Sequence, residues 1–221
     1  MQYFLKLKNI FSLLLVAGLV PMSFAQTKYF GSRHQNFIVE TVVDNLRNPW
    51  GMAFLPDGNI LITERPGKLR MVRNGRLVDE DITGLPEIRE IGQGGLMGIA
   101  LHPDFNNNKL VYLAYAGEAD GNSGTEVLRG RLEEMSLVDV ETVFKALPKR
   151  RGGAHFGSRL VFAPDGTLFI SLGDGNSVVD EERLLTGIYG RIRDIVQGPD
   201  DYIYLLTDAL DGKLLRISPV N

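Results

Sequence analysis

Three groups of residues in this chain have the types and the setting to do chemistry. His155 lies in Gly152-Gly153-Ala154-His155-Phe156-Gly157-Ser158-Arg159. Imidazole titrates near neutrality, so a histidine at the start of a strand can act as a general base. The flanking glycines let backbone and ligand come close. A histidine seen alone is more often a hydrogen-bonded structural residue, and both readings stand at this point. Gln93 occupies a similar glycine-rich turn, Gly92-Gln93-Gly94-Gly95, which by itself is weak evidence for a site. Arg191 and Arg193 stand two apart, so on a strand they project to one face. Two cations on a buried inner strand are costly unless paired. Either carboxylates such as Asp194 answer them, or they grip a carboxylate-bearing ligand through guanidinium forks. His102, inside a Pro-Asp turn, reads as structural. The chain has no cysteine, which excludes thiol chemistry and disulfides. It also lacks a phosphate loop, a nucleotide fingerprint and a zinc-spaced histidine pair, and no metal site is read into Gly173-Asp174 or Gly198-Pro199.

The elements that must position these residues come from a repeat. An apolar strand, a Pro-Asp turn and a second apolar strand recur four times, with the pairs at Pro56-Asp57, Pro103-Asp104, Pro164-Asp165 and Pro199-Asp200. Proline presets φ, and aspartate hydrogen-bonds the backbone ahead of it, so the pair nucleates a tight hairpin. The strands are apolar on both faces, as in sheets covered on both sides. Pro66-Gly67 turns the first copy into Leu69–Arg73, and residues 76 to 82 can supply an outer strand. That makes about four strands per unit, the blade of a β-propeller. Tandem hairpins of a sandwich are the alternative, disfavoured because sandwich strands rarely repeat a sequence. Gln93 and His155 precede the inner strands of copies two and three, and the arginines enter that of copy four. In a propeller these strand starts converge on one end of the central channel. The steps between Pro-Asp pairs are 47, 61 and 35 residues. The last is shorter than the 40 residues or so a blade needs. Val178 to Leu185 reads as an outer strand leading to the next blade, so one or more strands are expected to be missing between about Gly175 and Val178.

The bulk properties fit an ordinary globular protein, 44% hydrophobic and 23% charged, with 25 glycines for turns. Lys6 and Lys8, the apolar run Ile10–Val20 and Ser23-Phe24-Ala25 resemble an export signal, with cleavage expected after Ala25. A membrane anchor is the alternative, but the run is short and Pro21 breaks it. The expected organisation is a signal peptide over 1–25 and one all-β domain over 26–221, periplasmic or secreted, with no membrane span after signal removal. The net charge of −3 and the absence of a basic stripe argue against nucleic acid.

Longer stretches then show a resemblance. Gly92 to Phe105, His155 to Phe162, Gly190 to Asp194 and Asn48 to Met52 are similar to the soluble quinoprotein sugar dehydrogenases, in particular the aldose sugar dehydrogenase, or glucose/sorbosone dehydrogenase, branch. The resemblance implies a periplasmic six-bladed β-propeller holding pyrroloquinoline quinone (PQQ) and calcium. The resemblance likewise implies oxidation of aldoses to lactones by hydride transfer to the quinone, with electrons passed to an external acceptor. It implies that His155 takes the proton of the anomeric hydroxyl, that Gln93 lines the cofactor and sugar site, and that Arg191 and Arg193 clamp PQQ. The family's middle blades, with their Arg-Asn pair, calcium-holding Gly-Pro and aromatic wall, have no counterpart here. The expectation is therefore an incomplete propeller of about four blades, with an internal deletion of about two and no calcium ligands recognised. Ala154 stands where the glucose-specific branch has an acidic residue, which leaves the sugar open. A non-catalytic relic that has lost the calcium site is the alternative function.

Overall fold

The computed structural model describes residues 27–31, 36–163, 165–172 and 192–219. In chain order the first strands are β1 (Thr27–Gly31), β2 (Asn36–Leu46), β3 (Pro49–Phe54), β4 (Ile60–Glu64), β5 (Lys68–Arg73) and β6 (Arg76–Leu77). Then come β7 (Leu96–Leu101), the one-turn helix α1 (Phe105–Asn108), β8 (Leu110–Ala119), β9 (Asn122–Glu133) and β10 (Ser136–Lys145). The last are β11 (Leu160–Phe162), β12 (Leu168–Ile170), β13 (Ile192–Gln197), β14 (Ile203–Thr207) and β15 (Gly212–Pro219).

They form four antiparallel sheets: β3-β4-β5-β6, β7-β8-β9-β10, the pair β11-β12, and β13-β14-β15-β2-β1. Each sheet opens on one copy of the repeat, and Asp57, Asp104, Asp165 and Asp200 lie between its first two strands. The turns behave as the residue types dictate. Asp57, Asp165 and Asp200 each accept, through Oδ1, the N–H two residues on, at 3.0, 2.9 and 3.3 Å. The second copy differs, because α1 is inserted there. Asp104 instead accepts from the Asn107 side-chain amide at 2.6 Å, while His102 Nδ1 accepts the Asp104 N–H at 3.0 Å. His102 also stacks near Tyr112 and meets Phe162 edge-on, so it packs the second sheet on the third.

The sheets stand side by side with their first strands inward, β13 on β3, β3 on β7 and β7 on β11. Apolar side chains fill the space between neighbours. Leu61, Leu69 and Met71 meet Leu96, Val111 and Leu128 between the first two sheets. Leu46, Leu206 and Leu214 meet Ile62 and Val72 between the last sheet and the first. Burial on both faces is why β4 has no exposed residue. This is the blade packing of a propeller, open rather than closed: among the described residues no strand pairs β11 or β12 with β13.

Four expectations need adjustment or lie outside the described residues. The outer strand of the first sheet is only Arg76–Leu77, and Ile82 makes a separate bridge to Leu69. The strand expected over Val178 to Leu185, the junction near 175–178 and residues 1–25 lie outside the described residues. The sequence pattern also did not reveal that β2, near the N-terminus, pairs with β15 and so ties the two ends of the described chain into one sheet. No helix among the described residues is long and apolar enough to cross a membrane.

Candidate active site

The starts of the inner strands do not run straight. Ladder register slips between Pro49 and Met52 in β3, between Leu96 and Ile99 in β7, and between Ile192 and Asp194 in β13. A bulge puts an extra residue into the strand and re-aims its side chain. The three bulges sit at equivalent places in the first, second and last sheets. Trp50, Gly51, Gly98, Ile99 and Arg193 from these strand starts border a cavity of about 230 Å³, whose remaining wall is Gly157, Ser158, Arg159, Leu160 and Asp194.

Arg193 is held within this wall. Its guanidinium lies 4.0 Å from the ring centre of Trp50, the only tryptophan of the chain, and its Nη2 is 2.8 Å from Asp208 Oδ2. A cation over an indole face is stabilised by the ring quadrupole, the more so with only 16% of the side chain exposed. The carboxylate that answers Arg193 is thus Asp208 rather than its neighbour Asp194. Asp194, 4% exposed, does something else. Its Oδ2 accepts the buried Met52 N–H at 3.0 Å, and its Oδ1 meets Arg159 Nη1 at 2.7 Å. One carboxylate therefore links the last sheet, the first sheet and the residue that opens the third. Arg191 lies outside the described residues, so its face relative to Arg193 is untested.

His155 and Gln93 sit at the start of β11 and β7, on two loops that touch. The Gln93 N–H donates to the Gly153 carbonyl at 2.5 Å. The histidine loop is held in the left-handed region at Gly152, His155, Gly157 and Ser158, with φ of 60° at His155. Such values are uncommon for residues with a side chain and persist only where surroundings impose them. Here Ser123 Oγ donates to the Gly152 carbonyl and Thr125 Oγ1 to the Phe156 carbonyl, both at 2.5 Å. Phe156 is buried against Met97 and Ala116, with Trp50 and Ile91 beside it. Gly94 is required there, since a Cβ would come within 2.6 Å of the Phe156 ring. The buried phenylalanine anchors the loop, and His155 and Gln93 are left exposed at the surface above it.

Of the residues singled out in the sequence, Arg193 lines this cavity and Gln93 and His155 lie on two touching loops outside its lining, while Trp50, Arg159, Asp194 and Asp208 were not recognised as the neighbours that surround or answer the arginine. Their roles depend on contacts across sheets, which carry no local signature. Trp50 was visible only as part of the Asn48-Pro49-Trp50-Gly51-Met52 stretch. Among the described residues no three His, Asp or Glu side chains come together as metal ligands.

Comparison with known proteins completes the description. The family model described as glucose/sorbosone dehydrogenase matches in two segments, residues 46–178 and 174–216. The chain is 41% identical over 169 residues to the aldose sugar dehydrogenase YliI of Escherichia coli, covering 74% of this chain and 46% of that protein. It is 29% identical over 167 residues to quinoprotein glucose dehydrogenase B of Acinetobacter calcoaceticus, covering 71% of this chain and 34% of that one. The chain therefore spans less than half the length of these relatives. A solved glucose dehydrogenase structure superposes with a TM-score of 0.77 at 25% identity, covering 82% of this chain and 99% of that one. On the match of the family model over most of its length, this chain belongs to the glucose/sorbosone dehydrogenase family.

Proposed function

We propose that this chain derives from, and retains the cofactor wall of, a PQQ-dependent dehydrogenase that oxidises aldoses to lactones outside the cytoplasm. The observation that carries the reading is the convergence at one end of the axis of Arg193 on Trp50, Arg159 on Asp194, and the touching Gln93 and His155 loops. The donor set suits a flat, multiply carboxylated quinone. Guanidinium forks match carboxylates, and an indole edge with glycine backbone leaves room for a planar ring system. Arg193, with Arg191 from the same segment, would hold carboxylate and carbonyl oxygens, and Arg159 adds a second guanidinium to the wall. PQQ bound there would accept a hydride, with its electron pair, from the sugar's anomeric carbon.

The protein's own part is binding and proton transfer. Gln93 offers both a donor and an acceptor to a sugar hydroxyl. His155, held outward by its constrained backbone, would take the proton of the anomeric hydroxyl at an imidazole nitrogen as the C–H bond breaks. Loss of that proton would leave the oxygen as the carbonyl of the lactone. Calcium is a different matter. The described residues offer it no cluster of acidic or histidine side chains. The segment over 1–25 supports export, and the two-segment family match, with its break at 174–178, supports an internal loss of middle blades.

The break in the family match favours a second reading, a relic that binds cofactor without turning over. The experiment separates them. PQQ is titrated into the purified chain while Trp50 fluorescence is followed, and dye-linked oxidation of aldoses is then assayed with PQQ and calcium. Quenching that is lost in Arg193→Ala supports the cofactor wall. Turnover that falls about 10²–10⁴-fold in His155→Ala supports the dehydrogenase. Quenching without turnover supports the relic, and absence of quenching refutes both.

A further inference from the structure

A second cleft, of about 380 Å³, opens on the second sheet beside the Gln93 loop. Nothing in the proposed oxidation uses it. Its base is a polar cluster built into the sheet. Glu126, with 6% of its side chain exposed, accepts from the Tyr115 hydroxyl at 2.7 Å and from the Lys149 ammonium, with Lys145 4.0 Å away. Gly117 makes room for this carboxylate, because a Cβ there would come within 2.2 Å of it. Burial pushes the Glu126 carboxyl up, but its bonds to Lys149 and Tyr115 and the charges of the two lysines outweigh that and hold it below the usual range.

The lining fits one chemical class. Glu87, Glu118 and Glu126 face Arg89, Lys145 and Lys149, so three carboxylates balance three cations. A cleft with no net charge favours neither a phosphate nor a cation. It offers alternating acceptors and donors, which suit a neutral ligand carrying many hydroxyls. Ile91, Ala116 and Ala119 supply an apolar strip between the charged groups, against which the C–H face of a pyranose can lie. The volume falls within the range of small-ligand sites.

Position gives the site a role. Ile91 lines this cleft, and its N–H and carbonyl exchange hydrogen bonds with Gly94 at 3.2 and 2.8 Å, closing the turn that displays Gln93. The two sites therefore share one loop. We propose that the cleft is an outer saccharide subsite, holding a sugar unit of an oligosaccharide other than the one presented to Gln93 and His155. This role rests on the sugar-dehydrogenase reading, whereas saccharide binding in the cleft does not.

The test uses the chain without PQQ. Maltotriose, cellotriose and lactose are titrated by calorimetry and by saturation-transfer NMR, against wild type, Ala119→Phe and Glu118→Ala. Both positions are exposed at the end of β8, so both variants should keep the wild-type near-ultraviolet circular dichroism. The expected result is binding of at least one oligosaccharide, weakened about tenfold or more in Ala119→Phe. PQQ quenching of Trp50 should be unchanged in the same variant. No binding of any of the three sugars, or binding equally strong in both variants, overturns the proposal. Displacement of the sugar by inorganic phosphate at equal concentration also overturns it. Failure of the dehydrogenase reading looks different: PQQ quenching is absent while the sugar titration and its loss in Ala119→Phe persist.

Discussion

Asp194 is the residue whose removal tests most directly how the axial wall is held. In Asp194→Ala the Met52 N–H, on a residue 3% exposed, loses the Asp194 carboxylate as its acceptor. An unsatisfied buried donor costs about 1–3 kcal/mol. The Arg159 end is worth less. That side chain is 57% exposed, so water and salt screen the pair and its loss adds about 0–1 kcal/mol. The Ile195 N–H, which Asp194 Oδ1 also accepts at 3.0 Å, belongs to an exposed residue that water can serve. The sum is about 1–4 kcal/mol. For a chain of this size each kcal/mol lowers Tm by about 2–4 °C, so a fall of about 2–16 °C is expected. Asp194→Asn keeps a carbonyl oxygen for Met52 and loses only charge, so it should cost about 1 kcal/mol. Arg159→Ala should cost no more than that. Thermal denaturation of the three variants, followed by near-ultraviolet circular dichroism, measures all of this. If Arg159→Ala matched Asp194→Ala, the ion pair rather than the Met52 hydrogen bond would carry the energy, and the reasoning would be refuted.

Two further outcomes follow from the packing and electrostatics. Gly98→Ala should destabilise the chain by about 1–3 kcal/mol and weaken PQQ quenching of Trp50, because the new Cβ would stand 1.8 Å from the Ser158 carbonyl and push the start of β11 away from β7; unchanged Tm and quenching would show that the two strands do not meet so closely. Glu126 has a folded-state carboxyl lowered below its usual value, so its stabilisation is fully present above the ordinary carboxylate range and lost as pH falls through the lowered value. Urea unfolding from pH 7 down to about pH 3 should therefore show a smaller acid loss of stability in Glu126→Gln than in wild type, and identical slopes would contradict the assignment.

The local grammar of the chain was legible before any coordinates. Pro-Asp turns are set by proline's φ and by aspartate reaching two residues on, interactions that close within a few residues, and the hairpins formed where those pairs occur. Strands buried on both faces follow from their unbroken apolar runs, as at Ile60–Glu64. The positions of Gln93 and His155 before equivalent inner strands also follow from the repeat, since equivalent units place equivalent residues at one end of an axis. What the chain alone did not determine are relations between units. The bulge at Arg193 breaks the two-residue alternation that strand reading assumes, and it arises because the strand must accommodate its neighbours at the crowded axis. Asp208 rather than Asp194 answers Arg193, and Asp194 turns to Met52 and Arg159, because sheets far apart in sequence face each other there. β2 joins the last sheet for the same reason, and the Glu126 cleft exists only once β8, β9 and the loop around Lys149 are packed together. Such contacts are decided by the summed burial and hydrogen bonding of whole sheets, which no short stretch of sequence encodes.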